Sequence, residues 1–590
     1  MDNTVTILHW DSPGLSELNL RKIVEFFGGK TRLVKLDEEL AGYPNRLASA
    51  VERCQCLISS AATLARLARN NGETELRSLL ANLSRNVLVY GFDAAAWNGV
   101  LAALSQGTLT VVESLTGKGR TIRVAANSRQ MCGQFSGLEF EHSGKGNFCA
   151  FVTGGDLAGP ATVASIDGKP FFAKFQSEKG RLLLLAGQEI VDIDVNVLQE
   201  AQETPILKFF PGLVPVLMFL RSSAEKAFWH NDAPRACLTI DDPLLQRRYG
   251  FLEHERLLEA MEAKGFCTSI AFIPWNFDRS QRKTAKLFAA HADRYSLCVH
   301  GCDHTWGEFA GEDYPEMRER AEQALERMNL HQKLSGVGFD DVMVFPQGLF
   351  STAGVKALKA SGYLASANSN AHPVDATEEV TLRDLLDVAV TRFSNFPLFT
   401  RRYARFLAEV AFDLFLGKPA LLVEHHAFFR DGYDEVTEAV EKLHEIEPAL
   451  KWDSLGNICM QASLKKTGAN AEIEARFFTD RFTLRNDDEQ PHDYLVSRSV
   501  PADEVVKELT CNGRRSEFSK KADAVKTRVR LSAGQTVTFR MESKQEKTKV
   551  AARRPNRVYQ AKVFLRRNLS DLRVNYLDRS GFLRRSDGPA

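Results

Sequence analysis

Ser296-Leu297-Cys298-Val299-His300-Gly301-Cys302-Asp303-His304-Thr305 is the stretch on which the reading of the fold turns. A short apolar run of strand character leads straight into two histidines four residues apart. Neutral imidazole is a common metal ligand, and Gly301 lets the backbone turn sharply enough for both rings to converge. In isolation the pair also fits two ordinary loop histidines. Working outward, seven short strand-like runs can be picked out, at 236–240, 269–273, 296–299, 342–345, 364–367, 388–391 and 420–423. Most are followed by helical periodicity. Met317, Ala321, Ala324, Leu325 and Met328 form one apolar face, and Phe406, Leu407, Val410, Ala411 and Leu414 form another. Seven βα units in about 220 residues imply a barrel related to the eight-unit type, whose chemistry gathers at the C-terminal ends of the strands.

Two more strand ends carry reactive side chains. Thr239-Ile240-Asp241-Asp242-Pro243 closes the first run. Adjacent carboxylates repel unless a metal takes one and a proton or hydrogen bond takes the other. Read alone, the pair is also a helix N-cap, where Asp is favoured. Leu421-Leu422-Val423-Glu424-His425-His426 closes the seventh. A histidine at a barrel mouth can protonate a leaving group, and a solvent-exposed pair is the plainer alternative.

The flanks differ in period. Residues 1–100 alternate short apolar runs with helical stretches, including 16–27, 61–70 and 74–84, which implies a parallel sheet covered by helices. Between about 105 and 205 six strand-like runs follow, one pair joined by the hairpin signal Asp167-Gly168, and they are expected to extend that sheet. Residues 206–231, rich in Pro and aromatics, read as a linker. From 456 to 545 the period falls to two, with runs at 458–464, 473–478, 494–498, 505–509, 527–531 and 536–541, as in a small antiparallel β-sandwich. The tail, 546–590, is basic, but its arginines alternate with Val558, Tyr559, Val563, Phe564, Leu565, Leu569, Leu572 and Tyr576. Such a segment is expected to dock on the body or a partner with its apolar side buried, and residues 585–590 to fray.

Composition closes off other classes. The chain has 590 residues, 44% hydrophobic and 26% charged, with a formal net charge of +1. That excludes wholesale disorder and leaves no global field to draw it to nucleic acid, which is not expected as a partner. Ten scattered cysteines form no disulfide framework. The first residues have neither the basic nor the long apolar region of a signal peptide. The apolar run 209–220, broken by Pro211, Gly212 and Pro215, is shorter than the roughly 20 residues of a membrane helix. A cytoplasmic, soluble protein without a transmembrane segment is the expectation.

Taken in order, the three strand-end motifs resemble the polysaccharide deacetylase (NodB-homology) superfamily, in a divergent branch, over about residues 232–455. Its paired acids match Asp241 and Asp242, its two histidines match His300 and His304, its aromatic/Pro stretch matches Phe345-Pro346-Gln347-Gly348, and its late histidine matches His425 or His426. The resemblance implies a (β/α)7 barrel of deacetylase type. Asp242, His300 and His304 would hold one divalent metal ion, for which the donors suit zinc and also fit cobalt, nickel, manganese or iron. Asp241 would be the catalytic base and His425 or His426 the acid. Trp306, Phe345 and Pro346 would bind substrate, with Trp275, Phe309 and Phe350 as further candidates for sugar stacking. The implied reaction is removal of an N-acetyl or O-acetyl group from an amino sugar or glycan precursor, with an anionic lipid-linked sugar as one suitable partner. The sequence departs from the family at Val344, where an Arg usually orients the base. It also lacks the Asp that orients the acid: Asp387 and the stretch Arg392-Phe393-Ser394-Asn395 are the nearest candidates and neither fits the pattern. Those departures leave a catalytically weak glycan-binding or scaffold protein as the alternative. More weakly, residues 1–205 resemble the flavodoxin-like scaffold of class I glutamine amidotransferases without the nucleophilic Cys, since the turn Val89-Tyr90-Gly91-Phe92-Asp93 has none.

Overall fold

The computed structural model describes residues 4–36, 54–71, 85–93, 97–117, 119–126, 129–144, 148–153, 162–176, 180–187, 189–198, 206–375, 379–468, 471–521, 523–544 and 557–578. The expected helix at 74–84 and the tail arginines Arg553, Arg554, Arg579, Arg584 and Arg585 lie outside them.

The central sheet has nine parallel strands, eight of them in the order Leu398–Thr400, Ala365–Asn368, Asp340–Val344, Tyr295–His300, Thr268–Phe272, Arg235–Asp241, Ala420–His425 and Arg402–Tyr403, with the short Lys451–Trp452 paired to Arg235–Asp241 beside this path. The runs alternate poorly because both faces are buried, one by the covering helices and the other by the barrel interior. Cys237, Ala271, Cys298, Val342, Val344, Ala367, Phe399 and Leu421 fill part of that interior. The two edge strands are consecutive in the chain. Residues 398–400 pair with one edge, residues 402–403 pair with the other, and Arg401 sits in the seam. The sheet is thus a nearly closed barrel.

The expected sixth strand at 388–391 does not form. Only Val390 pairs, with Leu398, and the strand lies at Leu398–Thr400 instead. Residues 396–399 are more continuously apolar and lead to the arginines that close the barrel. Residues 458–461, the start of the strand expected over 458–464, belong instead to the helix Leu455–Gln461, capped by the Ser454 side chain, and a strand begins only at Ser463. Its Leu455, Ile458 and Cys459 join the barrel cluster, so an apolar face that fits both periods was claimed by the helix.

The segment read as a linker over 206–231 is a core element. Phe210–Ala224 is a helix whose residues from Phe210 to Leu220 are all buried. Pro211 lies in the first turn, where its missing N–H costs nothing, and Pro215 interrupts a single further hydrogen bond. By length and composition Leu207–Ala224 is apolar enough to cross a membrane, yet it packs within the fold.

Ahead of it, Lys30–Lys35, Thr4–His9, Cys56–Ser60, Asn86–Phe92 and Arg181–Ala186 lie side by side and parallel. This is the 2-1-3-4-5 order of a common doubly wound sheet. The sheet continues, antiparallel, through Lys169–Gln176, Thr162–Ile166, Arg120–Val124 and Glu139–His142. Asp167 and Gly168 both have positive φ, as a two-residue hairpin turn with the twist of its strands requires. At the other end of the chain, sheets of five and four strands share a core that includes Phe477, Phe482, Tyr494 and Phe539. One pair in it, Ile473–Phe477 with His492–Ser499, is parallel.

The helix Arg557–Leu572 lies against loops at the barrel mouth. Tyr559 Oη donates to Asp303 Oδ2 at 3.0 Å, Arg279 pairs with Asp571 at 2.8 Å, and Asn575, just past the helix, accepts from Gly250 N at 2.9 Å. Val563 and Val574 are buried. Contrary to the sequence expectation, most of its apolar residues face outward, including Leu565, Leu569, Leu572 and Tyr576. The helix docks through Tyr559, Val563, Asp571 and Arg567, which is 3% exposed, rather than through its leucines.

Candidate metal centre

Asp242, His300 and His304 come from the ends of two barrel strands and converge. Asp242 Oδ1 lies 3.0 Å from His304 Nε2 and 3.4 Å from His300 Nε2, and the two Nε2 atoms are 3.1 Å apart. Ligand atoms about 2.0–2.1 Å from a tetrahedral ion stand about 3.3 Å from one another, so this triangle fits one divalent cation. The protonation pattern agrees. His300 Nδ1 is 3.0 Å from the Val344 carbonyl oxygen, which only accepts, so Nδ1 carries a hydrogen and Nε2 is the nitrogen turned into the site. Burial lowers the pKa of this ring, but Asp242 and Asp241 outweigh it and raise it, so a bound cation would take the place of a proton on Nε2. Burial opposes charge on Asp242, but the two imidazoles outweigh it and hold its carboxyl well below the usual range. They thus leave an anionic ligand in place at neutral pH.

The loop is built to hold this arrangement. Gly301 has φ +65°, and a Cβ there would lie 1.9 Å from Glu308 Oε1 and 2.5 Å from Pro346 Cγ. Glu308, 3% exposed, accepts from the backbone N–H of Cys302 (2.7 Å), Asp303 (3.0 Å) and His304 (3.2 Å). Asp242 and His304 themselves sit at positive φ, +83° and +56°. Strained backbone of this sort costs on the order of 1–3 kcal/mol per residue and persists where surroundings over-determine it. Asp303, considered from sequence as a support for an imidazole, turns away to Arg327 Nη1 (2.6 Å) and Tyr559. Cys302 is buried beside Arg327 and stays out of the ligand set.

Asp241 stands beside the cluster and is held by a residue the sequence reading missed. Arg401 Nη1 donates to Oδ1 at 2.8 Å and Nη2 to Oδ2 at 3.0 Å, with Asp241 4% and Arg401 3% exposed. Burial pushes the Asp241 carboxyl up, but Arg401, His300 and His425 outweigh it and keep it below its ordinary value. The orienting Arg looked for at Val344 therefore enters through the seam, from another part of the chain. The apolar run 396–399 ending in Thr400-Arg401-Arg402 was the available signal, and assigning the sixth strand to 388–391 hid it.

His425 is the register partner of Asp241 on the neighbouring strand and is exposed at the mouth. His426 packs between Tyr249, edge-on at 5.5 Å, and Phe251, stacked at 6.2 Å, and burial lowers its pKa. Asp387 cannot orient either ring, since it accepts from Arg476 Nη2 at 2.8 Å. Glu424, also missed, is pushed up to about 7 by burial. Of the expected substrate contacts, Trp306 is 76% exposed. Phe345 is 1% exposed and stacked on Phe350, and Pro346 is buried, so both are packing residues without a face to offer a sugar. Phe309 and Phe350 are fully buried as well.

No family model matches the chain, and no curated protein matches it. Solved structures similar to part of it include the family 4 carbohydrate esterase from Streptomyces lividans in complex with acetate, at 13% identity and TM-score 0.24, over 38% of this chain and 94% of that one. Another is the Bc1960 peptidoglycan N-acetylglucosamine deacetylase, at 12% and 0.24, over 39% and 90%. A third is the Xyl-CE4 domain of a multidomain xylanase from the hindgut metagenome of Trinervitermes trinervoides, at 12% and 0.23, over 38% and 89%. The likeness to polysaccharide deacetylases is distant and spans little more than a third of the chain.

Proposed function

We propose that the protein is a metal-dependent hydrolase that removes an acetyl group from an amino sugar or glycan. One observation carries this reading: three lone-pair atoms, from Asp242, His300 and His304, meet at a barrel mouth beside a carboxylate that Arg401 keeps ionised. Asp242, His300 and His304 would hold a divalent cation, zinc among those the donors suit, which when bound would supply Lewis acidity for an acetyl carbonyl and lower the pKa of a water. Asp241 takes the proton of the attacking water, and Arg401 both aims its oxygens and keeps them free of a proton until then. His425, on the adjacent strand and open to solvent, returns a proton to the leaving amine nitrogen, with His426 as the other candidate. Trp306 offers an exposed face to a sugar ring.

The second reading, a glycan-binding protein of weak activity, draws on His426. Its Nδ1 is buried without a hydrogen-bond partner, so no hydrogen bond sets the tautomer of that ring for proton transfer. Acetate release from a panel of N- and O-acetylated sugars, after chelation and after restoring zinc, cobalt or manganese, separates the two. Metal-dependent release supports hydrolysis. Stoichiometric metal with no release from any sugar supports binding alone.

A further inference from the structure

The helix Arg557–Leu572 and the turn after it have two unlike faces. The inner face is seated on the barrel mouth through Tyr559, Val563, Asp571, Val574 and Asn575. The outer face carries Leu565 (60% exposed), Leu569 (58%), Leu572 (53%) and Tyr576 (70%). Their spacing of four, three and four places them in one stripe along the axis. Leucines left open over three turns are unusual on a protein surface and mark a place where something docks.

Charge says what docks. The exposed residues of this segment include Arg557, Lys562, Arg566 and Arg573 and no acidic residue, because Asp571 and Asp578 are turned partly inward. A second copy of the same stripe would bring these like charges together, which disfavours self-pairing. An acidic bilayer surface meets both features at once, apolar side chains entering the acyl boundary and arginines lying among anionic headgroups.

We infer that this helix seats the protein on an anionic lipid surface, with the mouth of the candidate site held against the membrane. The inference stands apart from the chemistry proposed for the site. It is tested with the full chain and vesicles of phosphatidylcholine, with and without phosphatidylglycerol. The wild type should sediment with the phosphatidylglycerol vesicles and detach as salt rises. Leu565→Glu with Leu569→Glu changes only exposed side chains, so the melting temperature should hold while vesicle affinity falls about tenfold or more. Lys562→Gln, Arg566→Gln and Arg573→Gln together should remove the preference for anionic lipid. No sedimentation of the wild type, or undiminished binding by the double Glu variant, overturns the inference. A concentration-dependent dimer that the double Glu variant abolishes, with no vesicle binding, overturns it in favour of a second copy.

Discussion

Arg401→Met strips both hydrogen bonds from a carboxylate that is 4% exposed. Removing one partner of a buried pair costs about 3–5 kcal/mol, because the other charge is left without compensation. Asp241 can relieve part of that by taking up a proton. In the wild type its folded-state value lies below the unfolded one, so the pair's stabilisation is present above about pH 4 and is lost as pH falls. Without Arg401, burial is left to dominate and the order reverses. The variant then loses stability as pH rises through the new, higher value. Urea unfolding at about pH 5 and pH 8 reads this directly: the variant's deficit relative to wild type should be larger at the higher pH. Adding Asp241→Asn should recover much of the deficit, since no charge remains to be buried. Acetate release at neutral pH should fall about 10²–10⁴-fold in Arg401→Met, and its acid limb should move to higher pH. Equal stability deficits at both pH values, with no recovery on adding Asp241→Asn, would refute the idea that this pair keeps a buried base ionised.

Asp241→Asn alone should leave bound metal unchanged and lower turnover about 10²–10⁴-fold; a near-normal rate would assign the base elsewhere. Gly301→Ala should weaken metal affinity by about tenfold or more and lower the melting temperature, because Cβ meets Glu308 and the left-handed φ is strained. Wild-type affinity in that variant would show that the loop adapts freely. His254 is buried against Phe288 and Tyr295, and burial pushes it down to about 4. Its contribution is therefore present above about pH 6.5 and declines as pH falls towards 4, by about 3 kcal/mol in all. His254→Leu should flatten the acid limb of the stability curve, and an unchanged limb would place that proton uptake on other groups.

The strand-end motifs were legible because metal ligands and strands obey local rules: apolar runs of fixed length, then Asp-Asp or His-Gly-x-x-His. Six of the seven barrel runs overlap strands for that reason. What escaped was set by contacts distant in sequence. The apolar run 396–399 could have placed a strand end at Arg401, but the partner it reaches, Asp241, is 160 residues away. Pro215 and the aromatics around it looked like a linker because burial on all sides erases the amphipathic pattern. Phe345 and Pro346 sat where the resemblance places a sugar contact, yet the packing of Phe350 and Gly301 took both. In the last described helix, composition forecast docking, but which face would dock depended on Asp303, Arg279 and Gly250.

A single bound cation is what sets a hydrolase site apart from three neighbouring polar side chains. Elemental analysis of the wild type and of His300→Ala, after dialysis against zinc and removal of loose metal, should give one ion per chain in the wild type. His300→Ala should hold essentially none, with its far-ultraviolet circular dichroism preserved, and acetate release should be lost along with the ion. Wild-type protein that holds no stoichiometric metal, or a His300→Ala variant that keeps it in full, would contradict the assignment of Asp242, His300 and His304 as a metal site.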